Sequence, residues 1–143
     1  MVGLPGAGKS TQAKQIEAER NALRLTPDDW IVALYGNDAR NQRDGARDPV
    51  EALQWEVAKR VLALGTNVIL DWGFWSRQER AWYRNEAAVL GADTKLVFID
   101  LPIDDLWARI SQRAESRSGT LAINREELEG WSKIFERPTE DEL

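Results

Sequence analysis

The sequence predicts an α/β fold, a short parallel sheet with helices packed on it. Two observations carry this. Short apolar runs, Asn67-Val68-Ile69-Leu70 and Lys95 to Leu101, alternate with longer segments whose apolar residues recur at helical spacing. A glycine-rich octapeptide, Gly3-Leu4-Pro5-Gly6-Ala7-Gly8-Lys9-Ser10, stands directly before the first helical segment. Continuous apolar runs bounded by helices are the pattern of strands covered on both faces, as in parallel sheets.

The elements follow in order. Thr11 to Ala22 is a polar helix opened by the octapeptide, and Leu23-Arg24-Leu25 is a short strand closed by Thr26-Pro27. Asp29 to Tyr35 reads as a short helix with Trp30, Ala33 and Leu34 on one side. Gly36 to Asp48 is Arg-rich and carries Gly, Asn and Asp, so it reads as a loop. Asp48 as cap and Pro49 at the first position then start a helix with Val50, Leu53, Val57, Val61 and Leu64 on its apolar face, ended by Gly65. Ser76-Arg77-Gln78-Glu79 has the form of a capping box for a helix reaching Leu90 and Gly91. Ile103 to Ala114 is a helix, and Asn124-Arg125-Glu126-Glu127 opens a last one through Phe135. Only Met1 and Val2 precede Gly3, so the strand expected before such a loop is a stub or begins upstream. The sheet is expected to have three or four strands.

The octapeptide fits G-x-x-x-x-G-K-[ST], a phosphate-binding loop. Its glycines permit left-handed backbone and close approach to an anion, so that successive amides point into one concavity. The positive end of the following helix adds to the attraction. Lys9 would reach β and γ phosphates, and Ser10 would offer a hydroxyl to Mg²⁺.

Ligands of open α/β sheets bind beyond the carboxyl ends of the strands. Acidic residues stand there: Asp28-Asp29 after the first short strand, Asp71 after Leu70, and Asp100 after Ile99. Asp71 is a candidate to hold Mg²⁺. Asp28 is placed to accept a proton from an attacking hydroxyl. Asp29 is the better placed to cap the next helix, and Asp100, before Leu101-Pro102, is read as fixing a turn. Arg109, Arg113 and Arg117 recur every four residues on one helical face. They could pair with Asp105 or Glu115. The reading taken is a lid over residues 109–124 that brings guanidinium groups to a phosphate in transfer.

Composition narrows the chemistry. The chain has 143 residues, of which 43% are hydrophobic and 30% charged, and is read as one domain, 1–143. With no histidine and no cysteine, it has no Ser-His-Asp triad, no disulfide and no His or Cys metal site. Its net charge of −5 makes nucleic acid an improbable partner, since such partners select a basic face. No run approaches the ~20 apolar residues of a membrane span, and the cytoplasm is the compartment expected. Seven tryptophans are mostly core filler in this reading, although Trp72, Phe74 and Trp75 flank Asp71.

GLPGAGKST at 3–11, LTPDDWIVAL at 25–34, VILDWGFWSRQER at 68–80 and LWARISQR at 106–113 together resemble small P-loop kinases of the polynucleotide-kinase, chloramphenicol-phosphotransferase and zeta-toxin type. The resemblance implies a P-loop NTPase three-layer α/β/α fold with a short parallel sheet and a helical lid. It implies ATP and Mg²⁺ as cofactors. Gly3, Pro5, Gly6, Ala7, Gly8, Lys9, Ser10, Thr11, Arg109 and Arg113 would hold the nucleotide, with Ser10 and Asp71 at the metal. Lys9, Asp28 and Arg113 would be catalytic. The expected activity is transfer of the ATP γ-phosphate to a hydroxyl of a small molecule. The alternatives are an NTP-hydrolysing switch, for which no NKxD motif is present, and a nucleotide-binding protein without transfer. Two departures stand out. The chain is acidic where polynucleotide kinases are basic, and Trp30-Ile31-Val32 follow the acceptor-side Asp where the zeta-toxin type has an Arg.

Overall fold

Strands β1, Ala22–Leu25, and β2, Asn67–Leu70, pair in parallel with Ala22 opposite Asn67 and Leu25 opposite Leu70. The computed structural model describes residues 1–116 and 122–143. Val2 extends the pairing through single parallel bridges to Gly73 on one side and Phe98 on the other. Its amide donates to the Val97 carbonyl at 2.8 Å and its carbonyl accepts from the Ile99 amide at 3.0 Å, while the Gly3 amide donates to Gly73 at 3.1 Å. The parallel arrangement is thus laid out as β1, β2, Val2, Phe98. The expected strand Lys95–Leu101 is reduced to one bridge, because its neighbour Val2 offers a single rung. Among the described residues the sheet has two strands where three or four were expected.

Helices fill the connections: α1, Lys9–Arg20; α2, Pro27–Tyr35; α3, Ala39–Ala63; α4, Arg77–Val89; α5, Ile103–Ser116; and α6, Arg125–Ile134. Parallel strands need such crossovers, and α2 and α3 make the one between β1 and β2. The largest departure from the sequence reading is here. Gly36–Asp48 is not a loop: only Gly36–Asp38 forms a 3₁₀ turn, and α3 runs unbroken from Ala39 through Pro49. Asp38 stabilises its start by accepting from the Asn41 and Gln42 side chains at 2.8 and 2.7 Å. Ala39, Ala46 and Val50 then bury against Ile31 of α2. This apolar seam outweighs the weak helix propensity of the polar stretch. A proline inside a helix removes one hydrogen bond and crowds the carbonyl four residues earlier, here Gly45.

The seam also turns the helix. Leu53 and Leu64, expected on the core face, are 60% and 82% exposed, while Gln54, Trp55 and Ala58 are buried. The main core gathers Leu4, Leu25, Trp55, Trp72, Phe74, Leu106, Ile110 and Leu128 from all parts of the chain. Helix α6 opens with the reciprocal box expected of Asn124 and Glu127. Helix α4 opens differently: Ser76 accepts from the Glu79 amide, but the Glu79 carboxylate takes the amide of Trp75 rather than that of Ser76. Arg80 clamps the C-terminal segment beneath it, through a buried pair with Glu142 at 2.7 Å. The pairing holds the Glu142 carboxyl down at about 2. Among the described residues, no helix is long and apolar enough to cross a membrane.

Candidate active site

The glycine-rich loop closes by contact with α5. A Cβ on Gly6 would meet the Leu106 carbonyl at 2.9 Å, so only glycine lets the loop seat there. Gly8, in left-handed backbone at φ 102°, is the N-cap of α1 and has no crowded neighbour. Its requirement is the backbone angle alone. Leu4 and Ala7 are buried and anchor the loop to the core. Lys9 curls back so that its ammonium donates to the Leu4 carbonyl at 2.9 Å. Burial pushes its pKa down to about 8, against the pull of Asp71 and Asp28. An ammonium held on its own loop, above a left-handed amide turn and a helix N-terminus, is a site built for an anion.

Asp71 follows β2 and is 5% exposed. Its Oδ2 accepts from the Ser10 hydroxyl at 2.6 Å and from the Thr26 hydroxyl at 3.2 Å, while Oδ1 has no partner. A buried carboxylate oxygen without a donor is costly unless something else meets it. The donor set is hard oxygen, one hydroxyl and one carboxylate. Among the described residues no group of three or more His, Cys, Asp or Glu could hold a metal by itself. The hydroxyl and the carboxylate fit Mg²⁺, which keeps waters and takes phosphate oxygens beside one or two protein ligands.

Helix α5 brings two of the three predicted arginines to this end. Arg109 reaches the loop, its Nη1 donating to the Ala7 carbonyl at 3.4 Å. Arg113 lines the cavity that holds Lys9 and Ser10. Arg117 and part of the expected lid, 109–124, lie outside the described residues.

The same cavity, about 810 Å³, continues from the loop past Asp28 to Trp75 and Trp131. Asp28 sits in the first turn of α2, 3.4 Å from Arg47 Nη1. Asp29 is not the cap expected. The N-cap is Thr26, and Asp29 pairs with Arg24 at 3.2 Å. Asp100 meets Arg137 at 2.9 Å, away from the cavity. Trp72 and Phe74 stack at 5.6 Å and belong to the core while also backing the cavity. Trp75 is half-buried and faces it. Gly73 and Phe74 both take positive φ, 98° and 47°, which turns the chain sharply between Asp71 and Trp75.

Two functional candidates went unread in the sequence. Arg47 spends each arm of its guanidinium on a different element: Nε on Glu51 at 2.8 Å, Nη1 on Asp28, and Nη2 on the Trp72 carbonyl at 2.5 Å. Glu51 lines the cavity, and burial pushes its carboxyl up to about 7. Both lay in or beside the segment taken for a loop. The four-residue steps from Arg43 to Arg47 to Glu51 were the signal that one helical face carries them.

Residues 1–138 match the AAA domain family. No curated protein matches the chain. With nearly its whole length matched and its glycine-rich loop at the head of α1, the chain belongs to the AAA domain family, P-loop NTPases that include kinases.

Proposed function

We propose that this protein is an ATP-dependent phosphotransferase that moves the γ-phosphate to a hydroxyl of a small acceptor. One observation carries the reading: a single cavity joins the phosphate loop to a carboxylate, Asp28, that the loop itself does not need. A switch that only hydrolyses NTP has no use for an acceptor chamber of this kind. A three-layer fold with a helical lid is the architecture that this reading entails.

In the proposed reaction, the loop amides and Lys9 hold the β and γ phosphates of the substrate ATP. Ser10 and Asp71 would hold Mg²⁺, which when bound neutralises phosphate charge. Asp28 orients the acceptor hydroxyl and takes its proton. The acceptor oxygen forms its bond to the γ phosphorus as the bond to the bridging oxygen breaks, and ADP leaves. Arg109 and Arg113 supply positive charge where it develops on the transferring group. The chain lacks histidine, so the proton passes to a carboxylate. Catalysis is mostly positioning and electrostatics.

The test is Asp28→Asn, which keeps shape and hydrogen bonding but cannot take the proton. Transfer of labelled γ-phosphate to a panel of hydroxyl compounds should fall by ~10²–10⁴-fold, the usual scale of a lost general base. ATP affinity by calorimetry should stay near wild type. Unchanged transfer in Asp28→Asn, or wild-type turnover that needs no acceptor, would favour the hydrolysing switch. ATP binding without turnover in any condition would favour the binding protein.

A further inference from the structure

The acceptor half of the cavity has an electrostatic character of its own. Two arginines stand on that wall and both are committed within the chain. Arg47 is divided among Asp28, Glu51 and the Trp72 carbonyl. Arg43 lies over the Trp131 ring at 5.1 Å and reaches Asp44 and Glu127, each at 3.4 Å. Besides Asp71, six carboxylates line the cavity: Asp28, Asp29, Asp44, Asp48, Glu51 and Glu79. Arg47 answers two of them at once. Among the described residues, no lysine or arginine pairs with Asp48 or Glu79. The excess is felt nearby. Burial pushes Glu51 up to about 7, with Arg47 pulling it back and Glu79 and Asp48 adding to the rise. Tyr83 is pushed up to about 12, by burial first and by Glu51, Glu79 and Asp48 after it.

Three further features of the wall bear on what it could hold. Trp75 and Trp131, both half-buried, line it with ring centroids 5.6 Å apart and planes tilted by 53°. They offer faces for a planar or apolar group. Trp72, 3% exposed in the same wall, has an indole N–H with no acceptor. A ligand oxygen is the complement it lacks. Asp71, also lining the cavity, keeps one buried carboxylate oxygen unpartnered where the two halves meet.

An anionic acceptor would need a guanidinium to receive it, and each one on this wall already has its partners. It would also meet unpaired carboxylates, a like-charge juxtaposition that suppresses wrong partners. Resting on the phosphotransferase reading above, we propose that the acceptor is an amine-bearing alcohol with a planar or apolar ring. Its ammonium meets the carboxylates of α3 and Glu79, its ring lies along Trp75 and Trp131, and its hydroxyl turns toward Asp28. The reaction is then the one already written, with the hydroxyl proton passing to Asp28 and ADP leaving.

Three matched probes decide between these charges: phenylethanolamine, styrene glycol and mandelate. All carry a benzylic hydroxyl, with an ammonium, a neutral hydroxyl or a carboxylate on the next carbon. Each is titrated against the full chain, with and without Mg²⁺ and AMP-PNP, by tryptophan fluorescence and by saturation-transfer NMR. Phenylethanolamine should bind about tenfold or more tighter than mandelate at low salt, with styrene glycol between. Raising the salt to about half molar should shrink that ratio several-fold. Asp48→Asn and Glu51→Gln, each checked for folding by circular dichroism, should shrink it too. Mandelate binding as tightly as the amine overturns the proposal. So does the absence of binding by all three, or a ratio indifferent to salt and to folded variants. Failure of AMP-PNP to bind would instead remove the phosphotransferase reading on which the proposal rests. AMP-PNP binding together with mandelate preference would remove the charge assignment alone.

Discussion

The two halves of the cavity are made in different ways. The phosphate half is backbone: a contiguous run from Gly3 to Ser10, seated by one glycine against α5 and leading into one helix N-terminus. Side chains enter it sparingly, Lys9 from the loop and Arg109 and Arg113 from α5. The acceptor half is side chains from distant elements. Asp28 comes from α2, Arg47 and Glu51 from α3, Trp75 from the turn after β2, and Trp131 from α6. The first half therefore tolerates little change in chain geometry and binds a group common to all nucleotides. On the proposed function, the second is free to vary in chemistry at fixed fold and sets the specificity.

The largest expected effect tests where the border between the halves lies. Arg113 lines the cavity at the meeting of loop and α5. If it serves the transferring phosphoryl group, Arg113→Ala should lower turnover by ~10³-fold, the scale of a lost arginine finger. Ground-state ATP affinity should change far less, since the stabilised charge appears in the transition state. Calorimetry beside single-turnover kinetics separates the two. A large loss of affinity at normal turnover would place Arg113 wholly in nucleotide binding.

This contrast also explains what the sequence disclosed. The loop could be read because its residues are neighbours in the chain and each position has a separate physical requirement. Asp71 could be read because it closes an apolar strand. The strand at 95–101 was over-read: its apolar run is real, but a ladder also depends on a partner, and Val2 gives it one rung. Helix α3 is the less legible element. The polar composition of 36–48 argues for a loop, and only the seam of Ala39, Ala46 and Val50 against Ile31 makes it a helix. Arg47 is hidden for the same reason, since a guanidinium that bridges Asp28 to Trp72 exists only once α3 is laid across both. The aromatic residues around Asp71 were ambiguous for a similar reason. Trp72 and Phe74 belong to the core while also lining the cavity, and Trp75 packs on the core from the cavity side, where positive φ at Gly73 and Phe74 turns the chain.

Arg47 gives the next smaller effect, and it probes the acceptor half alone. Three acceptors in three directions suit a planar fork and not a single ammonium. Arg47→Lys keeps the charge while losing at least two of the three bonds, so Asp28 is less firmly held. Transfer to any acceptor that takes label should fall by roughly 10-fold or more, with ATP affinity unchanged. Arg47→Gln should be worse, because a neutral side chain also leaves Glu51 without its cation. Equal losses of ATP affinity and turnover would mean that α3 supports the phosphate half as well, and that the two halves do not vary independently.

The smallest effect belongs to Lys9 and is read by pH. In the unliganded protein its pKa is about 8, with burial as the leading cause. Phosphate binds the ammonium form, so the nucleotide must raise this pKa. Affinity for ATP should therefore be highest below pH 8 and fall as pH rises through it, by up to about tenfold between pH 7 and 9. The sign for folding is opposite. A lysine whose pKa is lowered in the fold binds fewer protons there than when unfolded, where the value is 10.5. Above pH 8 and below 10.5, Lys9 thus adds to the stability of the unliganded protein as pH rises. Calorimetric titration with ATP and thermal melts without it, over the same pH series, should move in opposite directions. Lys9→Arg separates this from other titrating groups, because a guanidinium stays charged throughout. In that variant the decline in affinity from pH 7 to 9 should be lost. If it persists unchanged, the proton belongs to another group, and the lysine is charged in the free loop.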